Sequence, residues 1–330
     1  MSYFGLKEAK IAGIFVGAAL AVFLPIFAFG DNDVIFVDDD ASGSQTGSYD
    51  HPYRTIGKAL DHADSGTEVR VKKGTYKENI EIPKGVKVVS DGEDRSDVTI
   101  DGSSKKPTVT MKHKSTLSHV TVKEGRNGIR INDDSKAHIF DVLVKDAERD
   151  GIFIESSPRD KKYRAYIDKV EIKDSGKTGI YAKKRLVVIV NSKIHNNDSE
   201  GIDFQAGVDA WLEGNKVYDN KGTGWKVVMD GSEIWTTKND FRRNGREGIQ
   251  VESFGAPGKF GVKKSKAVDN GRYGIAIVAR NDAALGMWKS IFLENNSVFG
   301  NVLGQVSKDG SCQDHERKKR RGIFPCTRLI

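Results

Sequence analysis

Short apolar–variable–apolar triplets recur along the chain, each just after a glycine. Ile152/Ile154, Ile202/Phe204, Trp225/Val227, Ile249/Val251 and Ile275/Ile277 are such pairs. A period of two over so few residues predicts a short strand with one buried face. The glycines are Gly128, Gly151, Gly179, Gly201, Gly224, Gly248 and Gly274, at spacings of 23, 28, 22, 23, 24 and 26 residues. A repeat in the low twenties predicts a solenoid whose units stack on one another.

Further columns keep the same register. Asn197, Asn220, Asn244 and Asn270 stand four residues before successive glycines. Val144, Ile172, Ile194, Val217, Phe241 and Ala267 stand seven before, and Val142, Val170, Ser192, Asn215, Asn239 and Ser265 nine before. Asn296, Val298 and Asn301 continue the columns, with Gln305 in place of the glycine. Asn and Gly tolerate the left-handed backbone of a sharp corner, so glycine is expected to make the turn. Stacked Asn amides at a corner would hydrogen-bond from coil to coil. No segment after residue 65 sustains a 3.6-residue period, which excludes a helical repeat.

These columns resemble the right-handed parallel β-helix of the pectin-lyase-like superfamily, from about Val34 to Val306. The expected fold is therefore all-β: a single-stranded right-handed parallel β-helix of ~22–28-residue coils with a short N-terminal capping helix. The stretch from "VIFVDDDASG" to "GTYKENIEI" resembles the lead-in of such proteins. It predicts a strand, a His-Pro-Tyr turn and a helix over residues 53–63, with Ile56, Ala59, Leu60 and Ala63 on one face. Residues 31–306 then form the domain, with 31–82 as lead-in and cap. The tail after Val306 is expected to close part of the other end.

The two ends differ from the repeat. Lys7 and Lys10 precede an uncharged apolar run over residues 11–30, and small Ala28 and Gly30 lead into Asp31. Residues 1–30 read as a signal peptide or an N-terminal membrane anchor, which places the rest outside the cytoplasm. Residues 307–330 form a basic tail, with "ERKKRR" at 316–321. This run is a solvated tail or a contact for an anionic surface. Cys312 and Cys326 flank it and would close one disulfide in an oxidising compartment.

Composition adds less. Hydrophobic residues make up 37% and charged residues 30%, the balance of a soluble globular chain. The net charge of +7 owes much to the tail. No basic motif studded with aromatics appears, so nucleic acid is not an expected partner. The expected state is a monomer.

Stacking turns the columns into a surface map, because equivalent positions on adjacent coils lie ~4.8 Å apart. The first outward row after the glycines reads Arg130, Phe153, Tyr181, Asp203, Lys226, Gln250 and Ala276. The second reads Asn132, Glu155, Lys183, Gln205, Val228, Glu252 and Val278. Tyr181, Asp203 and Lys226 are the candidate catalytic set: an acid, a base and a charge stabiliser suited to an acidic sugar. Lys183, Gln205, Gln250, Glu252, Glu155 and Arg130 are the candidate substrate contacts. Against this, Asp203 and Lys226 would also make an ordinary cross-strand pair worth ~0.2–1 kcal/mol.

The superfamily's lyases and epimerases neutralise a uronate carboxylate, remove the C5 proton and deliver a proton elsewhere. "EGIDFQ", Glu200 to Gln205, resembles the Tyr-Gly-(Phe/Ile)-Asp-Pro-His site of alginate C5-epimerases. It departs from it at Glu200, Phe204 and Gln205. The Asn-Thr-Asp and Gly-His-Gly signatures of the polygalacturonase-like glycosidases are missing, and Asp133-Asp134 reads as a turn. Asp38, Asp39 and Asp40 offer oxygens to Ca²⁺ without the spaced carboxylates of a known loop; no other cofactor is implied. His195 is expected to be an exposed corner residue and Trp225 a core residue. Trp211, Trp235 and Trp288 are candidates for stacking on sugars. Two functions follow: an exported protein that binds and modifies polysaccharide by lyase, epimerase or glycoside hydrolase chemistry, or a non-catalytic surface scaffold or adhesin.

Overall fold

A computed structural model describes residues 33–308 except 104, 159–162 and 285. The described residues from Val34 onward belong to one compact unit. The expected signal or anchor segment, Cys312, Cys326 and residues 309–330 of the basic tail lie outside the described residues. Among the described residues no helix is long and apolar enough to cross a membrane.

Among the described residues the strands form three parallel sheets of 11, 10 and 10 strands. The chain visits them in strict rotation. One coil runs through Leu186–Val190 in the first sheet, Lys193–His195 in the second and Ile202–Phe204 in the third. The next repeats this with Asp209–Glu213, Lys216–Tyr218 and Trp225–Val228. Neighbouring coils pair in parallel and in register, as in Ile180↔Ile202 and Ile202↔Trp225. The inward side chains of all three sheets meet in one continuous core. Trp225 is fully buried there, with ring centroids 5.9 Å from Phe204, 5.9 Å from Phe241 and 5.3 Å from Phe260.

Two corners are built alike. Each places one residue in the left-handed region and the next inside the helix. Between the first and second sheets these are Asn191 (φ 51°) then Ser192, and Lys238 (φ 57°) then Asn239. At the exit of the second sheet they are Asn196 (φ 57°) then Asn197, and Asp219 (φ 54°) then Asn220. The expected Asn ladder runs Asn197–Asn220–Asn244–Asn270–Asn301, with Nδ2 to Oδ1 distances of 2.8, 3.0, 3.1 and 2.9 Å. A second ladder occupies the other corner, where Asn215 Nδ2 donates to Asn239 Oδ1 at 2.9 Å. Buried amides need such partners, and the repeat supplies one on every coil.

The repeat glycines do a different job from the one expected. None of the seven has a left-handed φ. A Cβ on Gly201 would lie 2.5 Å from Val217 Cγ1 and 2.6 Å from the Gly224 carbonyl oxygen. Glycine stands there because the next coil passes too close for any side chain.

The capping helix, α1, is Ile56–Leu60, shorter than the expected 53–63. Thr55 is its N-cap and accepts from the Lys58 N–H at 3.2 Å, while Tyr53 bridges to Val37 as extended chain. The Glu78 carboxylate accepts the Ile56 and Gly57 N–H groups, both at 2.8 Å, and pins the helix to the first coil. Ile56, Ala59 and Leu60 are buried beneath it. At the far end, inward-facing Leu293 and Val306 are 37% and 38% exposed. The tail expected to cover them lies outside the described residues. Asp133 and Asp134 form a turn, with Asp134 left-handed at φ 47°.

Candidate functional site

Strand register assembles the outward row of the third sheet. Phe153 pairs with Tyr181, Tyr181 with Asp203, Asp203 with Lys226, and Lys226 with Gln250. Each side chain points outward because its two strand neighbours are buried. Ile202 and Phe204 hold Asp203 in this way. The connections beyond this sheet are short on these coils: residues 183–185, 205–208 and 229–232. Longer connections, 155–164 and 280–290, flank them.

Asp203 is the most perturbed carboxyl of the row. Burial pushes it up to about 6, aided by Glu200 and Glu252 and opposed by Lys226 and a hydrogen bond from Gln205. Its hydrogen-bond partner is Gln205, whose Nε2 donates to Oδ1 at 2.7 Å. Burial also raises the Tyr181 phenol, with Asp203 and then Asp150 adding to the shift. The Tyr181 ring stacks on Phe153 at 5.3 Å and 4°. A carboxyl raised toward neutrality next to a phenol that keeps its proton sets a base and an acid side by side.

Other expected contacts are spoken for. Arg130 is ion-paired to Glu155, whose second oxygen accepts the Asp133 N–H at 3.0 Å. Gln250 and Glu252 lie in the outward columns but are each only 3% exposed. Gln250 donates to Glu252, and Glu252 is ion-paired to Arg280. Lys183 is exposed at the edge of the sheet.

Sequence reasoning missed three residues. Asp150 and Glu200 stand just before repeat glycines, and both act on this row. Asp150 is buried, accepts from Asn127 Nδ2 at 3.1 Å and is raised by burial. Their place before the glycine was the signal. Arg185 had none. It is fully buried and donates to the carbonyl oxygens of Asn132 (3.2 Å), Glu155 (3.0 Å) and Ser135. Burial lowers its guanidinium to about 10. It clips three successive coils together beside the row.

His195 corrects an expectation. It ends a strand of the second sheet and is only 9% exposed. Its ring stacks on Tyr218 at 4.6 Å and 6°, and Nε2 lies 3.3 Å from Glu171 Oε1. Arg95 reaches Glu171 at 2.5 Å from the connection before the second sheet, an irregular segment the repeat does not encode. Trp211 and Trp235 face outward on the first sheet, and Trp288 packs part-buried against the core.

The carboxylates of Asp38, Asp39 and Asp40 bring oxygens within 4.8 Å of one another. Lys72 Nζ lies 3.3 Å from Asp38, and the Thr75 N–H donates to Asp39 at 3.0 Å. An ammonium and an amide already engage two of the three, so the set fits Ca²⁺ poorly.

A family described as the right handed beta helix region matches residues 127–298, more than half of the chain. A mannuronan C5-epimerase of Pseudomonas putida is 28% identical over 179 residues, 53% of this chain and 29% of that protein. YwoF of Bacillus subtilis is 23% identical over 236 residues, 66% of this chain and 47% of that protein. The chain thus spans less than half the length of either relative. Among solved structures, an alginate lyase from Paenibacillus sp. superposes with a TM-score of 0.55 at 14% identity, over 77% of this chain and 95% of that one. Pectate lyase Pel9A gives 0.51 at 13%, over 85% and 80%. The superpositions show a shared fold, while the matched residues and the three-sheet winding show that this chain belongs to the right-handed parallel β-helix family.

Proposed function

We propose that this protein binds an acidic polysaccharide along the outward face of the third sheet and transfers a proton at C5 of a uronate residue. The observation that carries this is the raised carboxyl of Asp203, in register between Tyr181 and Lys226. The relative named as a mannuronan C5-epimerase supports the same chemistry.

The roles follow from charge. The Lys226 ammonium neutralises the uronate carboxylate, which acidifies the C5–H bond. The Asp203 carboxylate takes that proton as general base. The Tyr181 hydroxyl, kept protonated by burial, delivers one in return. Delivery to the oxygen on C4 breaks the C4–O bond as the C4=C5 bond forms. Delivery to the opposite face of C5 inverts that carbon instead. Gln205 holds Asp203 but has no proton to exchange, so Tyr181 is the acid on either route. The apolar run of residues 11–30 supports a place outside the cytoplasm, where such polymers occur.

The test is incubation of the full chain with alginate and pectate. Ultraviolet absorbance reports unsaturated ends, and deuterium entering C5 reports inversion. Asp203→Asn is expected to lower either rate at least ~100-fold. Binding on a glycan array with neither product would leave a non-catalytic scaffold as the function.

A further inference from the structure

One outward column of the first sheet is rich in aromatic residues. In register it reads Tyr166, Val188, Trp211, Trp235, Gly261 and Phe292. Buried Val188 separates Tyr166 from the rest, so the strip proper is Trp211, Trp235 and Phe292. Gly261 interrupts that strip for a physical reason. Its φ is not left-handed, and glycine weakens the middle of a strand. A Cβ there would sit 2.2 Å from Trp235 Cε3 and 2.4 Å from Cζ3. The Trp235 indole therefore lies across the Gly261 backbone and reaches Phe292, with centroids 5.5 Å apart at 25°.

The edges of the column are polar. Trp235 Nε1 donates to Glu233 at 3.4 Å, and Trp211 Nε1 to Glu213 at 3.3 Å. Lys259 lies 3.7 Å from Glu233, Lys238 3.0 Å from Glu213, and Lys263 3.1 Å from Glu294. The apolar strip is thus one side chain wide, with a charge-balanced border.

We infer that this column is a second glycan track, distinct from the Asp203 face, that takes a neutral hexopyranose polymer lying along the helix axis. Flat rings on successive rungs offer π faces to the C–H faces of sugar rings. The ~4.8 Å rung spacing is close to the length of one sugar residue in an extended chain. A strip this narrow cannot supply the ~800 Å² per partner of a standard protein interface. The indole N–H groups are held by carboxylates of their own strands, which fixes ring orientation and leaves stacking as the mode of contact. A border of balanced charge favours a neutral polymer over an acidic one.

Affinity electrophoresis of the full chain through gels containing β-glucan, mannan or alginate tests this. Retardation by a neutral polymer is expected, and Trp235→Ala should weaken it about tenfold. Gly261→Val should do the same with every aromatic residue still present, because its side chain lifts the indole. Thermal unfolding of each variant checks that it has folded. Asp203→Asn should be retarded by the neutral polymer like the original protein, so a failure of the uronate chemistry is read separately. No retardation by any neutral polymer would overturn the inference. So would a Trp235→Ala protein that binds as well as the original.

Discussion

Gln205 donates a 2.7 Å hydrogen bond to Asp203 from two residues along the same strand edge. The bond favours the carboxylate and opposes the burial that raises it. Gln205→Ala should therefore push Asp203 higher still. In the pH profile of kcat/KM for uronate turnover, the acidic limb should move to higher pH. A limb that stays put or moves down would separate Asp203 from the reaction.

The same carboxyl predicts a dependence of stability on pH. Its folded value, about 6, lies above the ordinary 3.8. Between these values the folded state binds more protons than the unfolded one, so stability falls as pH rises through that window. Two units correspond to about 3 kcal/mol. Asp203→Asn should flatten this fall and be the more stable protein at pH 7. Urea unfolding of both proteins at pH 4 and pH 7 measures it.

The Asn ladder should be costly to interrupt. Asn220 Oδ1 accepts from Asn197 Nδ2 at 2.8 Å, and its Nδ2 donates to Asn244 Oδ1 at 3.0 Å and to the Ile194 carbonyl at 3.2 Å. Asn220→Ala leaves buried partners on both neighbouring coils unsatisfied, at ~1–3 kcal/mol for each group left without a partner. Asn220→Asp sets a buried oxygen against the Ile194 and Tyr218 carbonyls and Asn244 Oδ1, and should be no more stable than Asn220→Ala. Denaturant midpoints rank the three proteins.

Gly201→Ala should destabilise more than an ordinary strand substitution. The added Cβ meets both Val217 Cγ1 at 2.5 Å and the Gly224 carbonyl oxygen at 2.6 Å. Val217→Ala in the same chain removes only the first clash. The double variant should stay well below the Val217→Ala protein in thermal midpoint. Full recovery would mean that the backbone approach imposes nothing.

Arg185 should resist replacement even by lysine. Its guanidinium reaches three carbonyl oxygens on two other coils, and one ammonium cannot span the same fork. Arg185→Lys is expected to lower the thermal midpoint nearly as far as Arg185→Met. Because Arg185 sits beside the third sheet, loss of polysaccharide binding should accompany the loss of stability.

The amino-acid sequence alone determined the coil. Every second residue of each strand must be buried, and the same positions recur one turn later. A periodic sequence therefore declares its register, its corners and its outward rows. That is why the sequence alone puts Tyr181, Asp203 and Lys226 on one row and Trp225 in the core. Only the tertiary structure decided what each outward residue meets. Gln250 and Glu252 share columns with partly or fully exposed residues yet are buried, and His195 contacts Glu171, which Arg95 grips from a distant irregular segment. The repeat glycines needed room rather than a left-handed turn, which only the path of the neighbouring coil reveals. Inward positions obey a local two-residue rule, whereas the burial and charge around an outward group are set by irregular connections that follow no period.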